Sequence, residues 1–129
     1  MNVVITRNRH GLIVVRAGQA TRHLMPFRRI IGLDTSETML STARTLFSSP
    51  TWSEKISFAN GSAEDLSSVG VQDGTVDLII SAQACHWFDW SKIWPETRRV
   101  LKKGGCAAFW VNVRLDNKRV ALTLILDLF

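Results

Sequence analysis

With 129 residues, 46% of them hydrophobic, the chain has the length and apolar content of one domain with a genuine core. Its net charge of +5 comes from 16 Lys and Arg set against 11 Asp and Glu, scattered over several segments rather than gathered into a stripe, which points away from a nucleic-acid partner. Two cysteines in apolar surroundings, with no CxxC or Cys/His cluster, argue against a disulfide scaffold and a metal site; no apolar run is long enough for a signal core or a membrane span, so a soluble, cytoplasmic protein without a membrane partner is expected.

The first expected element is a strand at Leu12-Ile13-Val14-Val15, a short continuous apolar run of the kind covered on both faces in a parallel sheet. Ala17 to Thr21 reads as a turn, with a helical turn or two over 20–27 stopping near Pro26. Arg29 to Leu33 is strand-like and ends on Asp34, where Thr35 and Ser36 offer capping hydroxyls. Met39, Leu40, Ala43, Leu46 and Phe47 recur at helical spacing, giving an amphipathic helix over 37–47 that ends before Pro50. Ile56 and Phe58 alternate with Lys55 and Ser57 in a half-covered strand broken by Asn60-Gly61. Val76 to Ile80, introduced by the Asp73-Gly74 turn, is the expected central strand, followed by a loop over 81–88. Pro95 belongs near a helix start, so the next helix is expected from about Trp94 to Lys103, stopped by Gly104-Gly105. A strand over 106–111 follows, and the leucine-rich residues 119–129 read as an apolar helix or tail in want of a partner surface. This alternation predicts an α/β fold: a Rossmann-like parallel sheet with helices on both faces, occupying 1–115.

In such sheets ligands bind beyond the carboxyl ends of the strands, which singles out Gly18, Asp34, Ala63, Glu64, Gln83 and His86. A carboxylate at Asp34 can accept hydrogen bonds from two adjacent ribose hydroxyls. It can equally cap the helix that begins near Glu37, and spacing alone does not choose between these roles. A histidine beside Trp87 and Phe88 is either a general base or a packed, hydrogen-bonded residue.

Four stretches occur in a set order: Ile31-Gly32-Leu33-Asp34 with Ser36 and Met39-Leu40; Gly61-Ser62-Ala63-Glu64-Asp65-Leu66; Val76-Asp77-Leu78-Ile79 with Gln83-Ala84 and His86-Trp87-Phe88; and Arg99-Val100-Leu101-Lys102-Lys103-Gly104-Gly105. Over residues 18–111 this pattern resembles the class I S-adenosylmethionine-dependent methyltransferases, in particular the small-molecule branch that includes trans-aconitate methyltransferase-like enzymes. The resemblance implies S-adenosylmethionine as cofactor and a small organic molecule as methyl acceptor. It further implies that Asp34 holds the ribose, that Ala63 and Glu64 flank the adenine, that Gly18 and Gln83 contact the cofactor, and that His86 and Trp87 border the acceptor pocket.

The family's opening D-x-G-x-G-x-G pattern is kept only at Gly18; Arg16 and Val14 stand at the earlier glycine positions and Leu12 near the acidic one. Family members are also longer, so the chain is expected to be incomplete at both ends, with an apolar edge or tail available for self-association. The competing expectation is a catalytically inactive fragment of this fold acting as a binding or interaction module.

Overall fold

A computed structural model of the chain describes residues 2–6, 27–82, 85–115 and 118–127. Strand β1 spans Asn2–Thr6 and β2 spans Arg29–Asp34, followed by α1 at Glu37–Leu46 and the single-turn α2 at Pro50–Ser53. Strand β3 is Ile56–Asn60, β4 is Val76–Ala82, α3 is Trp90–Val100, β5 is Leu101–Leu115 and β6 is Lys118–Asp127. Among the described residues, two 3-10 turns, Ser67–Val69 and Cys85–Trp87, punctuate the loops.

The six strands of the described residues form one sheet in the order β3-β2-β1-β4-β5-β6. β2 pairs with β3, and β4 with β5, in parallel. β1 runs antiparallel to both β2 and β4, so all four parallel-paired strands point the same way, and β6 runs antiparallel to β5. From the centre, β2 to β3 steps one way and β4 to β5 the other; right-handed crossovers therefore put α1 and α3 on opposite faces.

Side-chain alternation confirms that division. Phe58, level with Gly32 in the ladder, stacks at 6.0 Å on Phe47 at the end of α1. On the other face Phe109, level with Ser81, meets Trp90 at 5.4 Å and Trp94 at 6.1 Å, both from α3. The core runs through the sheet: Ile30, Leu33, Val76, Ile79, Ile80 and Ala107 are buried, with Leu40 and Ala43 of α1 and Ile93 and Val100 of α3 closing over them. The expected α/β architecture with helices on both faces is therefore what forms.

Several boundaries differ from the sequence expectation for physical reasons. α3 starts at Trp90, not Trp94, because Asp89 caps it, its carboxylate accepting from the Ser91 N–H at 3.1 Å; Pro95 sits on the exposed face, where the carbonyl it leaves unbonded can be hydrated. The helix ends at Val100, and Lys102 to Gly105 bulge out of β5 between the Val76–Leu101 and Leu78–Cys106 pairs. Residues 119–127, part of the stretch expected as an apolar helix or tail, instead lie in β6, whose ten ladder pairs to β5 hold the segment extended and bond the side of its backbone that faces β5. β1 and α2 have no counterpart in the sequence expectation. The expected strand at 12–15, the turn at 17–21 and most of the helical stretch at 20–27 lie outside the described residues.

Candidate functional site

Because β2, β3, β4 and β5 run in one direction, their carboxyl ends form a single edge of the sheet. Asp34 and Asn60 are opposite one another on that edge, and the Gly61 N–H donates to the Asp34 carbonyl at 3.1 Å. Asp34 is half-buried, and its Oδ1 accepts from the Ser36 N–H at 2.8 Å, so the carboxylate shapes the turn out of the strand. It is not the helix cap. That role falls to Ser36, whose Oγ accepts from the Met39 N–H at 3.4 Å.

Two further polar groups join this rim. Asn60 Nδ2 donates to Glu37 Oε2 at 3.4 Å, and Glu37 also pairs with Arg44. Hydrogen bonds from Arg44 first, then Asn60, hold the Glu37 carboxyl below its ordinary range. In the sequence Asn60 stands out only as part of a chain break; its place after a strand, level with Asp34, is the signal that marks it as a rim residue.

Beyond Gly61 the loop closes on itself and on α3. Ser62 Oγ accepts from the Glu64 N–H at 3.2 Å, and Asp65 Oδ1 accepts from the Ser67 hydroxyl at 2.6 Å and the Ser68 N–H at 3.2 Å. Ala63 is half-buried and lines a narrow, mainly apolar cavity with Leu33, Leu66, Ile79, Phe88 and Phe109, between the sheet and α3. Glu64 Oε1 accepts from the Asp89 N–H at 2.8 Å, which places its carboxylate at the start of α3. Thus Asp34, Ala63 and Glu64 lie along one continuous path from β2 across the end of β3 to α3.

After β4 the chain makes the 3-10 turn Cys85–Trp87, which carries His86; the side chain of His86 lies outside the described residues, as does the whole of Gly18 and of Gln83. Trp87 is 82% exposed and so does not pack into the core. Trp90, partly buried, packs against the core, meeting Phe88 and Phe109 edge-on and Trp94 at a tilt. Cys85 is buried, and burial pushes its thiol above the ordinary value, which keeps it protonated and unreactive at neutral pH.

The motif at Arg99 to Gly105 also resolves into contacts. Val100 and Leu101 are buried, Lys102 Nζ donates to both carboxylate oxygens of Asp77 at 3.1 Å, and Gly104 takes a left-handed φ of 77°. Arg99 and its neighbour Glu96 reach back to the loop that carries Ala63 and Glu64.

Residues 15–109 match the family profile described as the methyltransferase domain. The chain is 36% identical over 98 residues to the "Probable S-adenosylmethionine-dependent methyltransferase CRG1" of Saccharomyces cerevisiae, covering 75% of this chain and 33% of that protein. It is 30% identical over 99 residues to methyltransferase ptaI of Pestalotiopsis fici, covering 74% and 29%. It thus spans about a third of the length of the curated relatives it matches. Among solved structures, the YcgJ protein of Bacillus subtilis aligns with a TM-score of 0.58 at 26% identity, covering 70% of this chain and 37% of that one.

Proposed function

This chain belongs to the methyltransferase domain family, and from that premise we propose that it serves S-adenosylmethionine-dependent methyl transfer to a small organic acceptor. The observation that carries the reading is the path from Asp34 through Gly61 to Ala63 and Glu64 along one sheet edge. The order of the motifs at 61–66, 86–88 and 99–105 supports placement in the trans-aconitate methyltransferase-like branch.

The donor set suits the cofactor. Asp34 offers a partly exposed carboxylate, an acceptor matched to a pair of vicinal hydroxyls, and Ala63 offers a small apolar surface with no long side chain to obstruct a flat base. When bound, the cofactor supplies an electrophilic methyl group on a sulfonium. The chain's own task is then alignment and exclusion of water, which can carry most of the rate in a bimolecular displacement. In this reading Asp34 fixes the ribose, Ala63 and Glu64 bracket the adenine, and Gly18 and Gln83 complete the cofactor contacts. Trp87, exposed in the 3-10 turn that follows β4 in the chain, is available to cover an acceptor, and His86 would take a proton from a hydroxyl or amine acceptor. A carboxylate acceptor would need no base.

Titration calorimetry with S-adenosylmethionine tests the reading. Saturable binding is expected, weakened about 10-fold to 100-fold in Asp34→Ala, the range for loss of charge-assisted hydrogen bonds. No detectable heat at millimolar cofactor would overturn it.

A further inference from the structure

Residues 61–75 form a long connection whose only regular element is the 3-10 turn Ser67–Val69, yet its ends and middle are tied to a single helix. The ties follow α3 in order. At its start the Asp89 N–H donates to Glu64 Oε1 at 2.8 Å. Two turns on, Glu96 Oε1 accepts from the Leu66 N–H at 2.7 Å. One turn further, Arg99 Nη1 and Nη2 donate to the Val71 carbonyl at 3.3 Å, Nη1 also reaches Asp73 Oδ1, and the Arg99 carbonyl accepts from the Gly74 N–H at 2.9 Å.

Glu96 and Arg99 also grip each other. Arg99 Nε donates to Glu96 Oε2 at 2.9 Å and Nη2 to Oε1 at 2.6 Å, a two-pronged pairing that fixes the plane of the carboxylate. The Glu96 side chain is 14% exposed and that of Arg99 27%. Leu66 and Val71, whose backbone the pair holds, plunge into the core and are themselves joined, Val71 N–H to Leu66 carbonyl at 3.0 Å. The carboxylate therefore pins the chain two residues beyond Glu64 and three beyond Ala63.

A sheltered ion pair of this kind adds little stability over apolar residues of similar volume, since desolvation offsets the attraction; what it does supply is one defined arrangement of the groups around it. We propose that Glu96 and Arg99 are positioning residues for adenine recognition, holding residues 61–75 in the shape that presents Ala63 and Glu64 to the base. The proposal rests on the cofactor reading above. It assigns the preference for adenine over other purines to a pair of side chains on the back of α3 that need not touch the cofactor.

The test measures affinities for S-adenosylhomocysteine and S-inosylhomocysteine, which differ in replacement of the adenine amine by a carbonyl and, with it, of the N1 acceptor by an N–H donor. Calorimetry is run on the full chain well below its unfolding midpoint, with circular dichroism confirming that each variant is folded. Wild type is expected to prefer the adenine compound at least 10-fold, and Glu96→Ala to reduce that ratio to 3-fold or less, on the order of one broken recognition contact. Glu96→Gln keeps an acceptor oxygen for the Leu66 N–H and is expected to restore most of the ratio, whereas a general loss of stability would weaken both ligands alike. Should Glu96→Ala not fold, Arg99→Lys, which keeps the charge but loses the fork, is expected to give an intermediate ratio. An unchanged ratio in the folded variants overturns the proposal alone, as does a wild type that binds both compounds equally. A wild type that binds neither overturns it together with the cofactor reading.

Discussion

At the α3–β5 junction two adjacent glycines meet different constraints. Gly104 has φ near 77°, where any side chain is strained, but open space surrounds it. Gly105 is crowded instead: a Cβ there would lie 2.9 Å from the carbonyl of Lys102 in the same bulge and 3.1 Å from the carbonyl of Val76 in β4, both backbone atoms. Gly104→Ala is expected to cost about 1 kcal/mol, the ordinary penalty for a left-handed residue, and Gly105→Ala more, because relief requires moving a strand. Urea titration of the two variants checks this order; equal midpoints would show that the bulge is soft. Asp34 gives the same lesson at the site. Its carboxylate could serve either ribose or helix, and the position of Ser36 as the cap leaves Asp34 to shape the turn at the strand's end.

At the scale of elements, α3 connects the site to the core, with Ile93, Thr97 and Val100 buried and Asp89, Glu96 and Arg99 turned to the loop. The hydrogen bond from Arg99, opposed by burial, holds the Glu96 carboxyl below its ordinary range. A group whose folded value is depressed contributes stability above its unfolded value, about 4.3 for Glu, and loses it as pH falls through the folded value. The thermal midpoint of the wild type is therefore expected to drop between about pH 5 and pH 3. Asp65 and Asp89 are depressed too, through serine hydroxyls first, and add to the slope. Glu96→Gln removes one contributor, so its midpoint should change less over that interval; parallel curves would show that the pair carries no pH-dependent stability.

For the whole molecule, Phe109 is the point where sheet, helix and site meet. It is 3% exposed and contacts the rings of Phe88, Trp90 and Trp94. Phe109→Ala is expected to destabilise by about 3–5 kcal/mol, the cost of a large cavity in a packed core, with loss of near-ultraviolet aromatic signal; a change under about 1 kcal/mol would mean the cluster collapses around the gap. Much of this plan was legible in the residues alone. A strand-like stretch at 29–33 and a near-continuous apolar run at 76–80 marked strands, and helical spacing from Glu37 marked α1. The position of Asp34 after a strand, with the motifs at 61–66 and 99–105, marked the edge where a ligand would sit. What those residues could not disclose depends on partners distant in sequence. Residues 118–127 have a composition suited to a helix, but β5 lies alongside and a ladder outweighs intrinsic preference. Pro95 argues locally for a helix start, yet the Asp89 cap and the ring cluster extend α3 by four residues ahead of Trp94. Glu96 looks like any surface carboxylate until folding brings Leu66, thirty residues earlier, against it. Local pattern determined that 29–34, 56–60 and 76–82 become strands and 37–46 a helix, and which of those strand ends carry polar groups, because these follow from short-range sterics and periodic burial. Tertiary structure alone decided which groups share a hydrogen bond, because that is set by how separate elements pack.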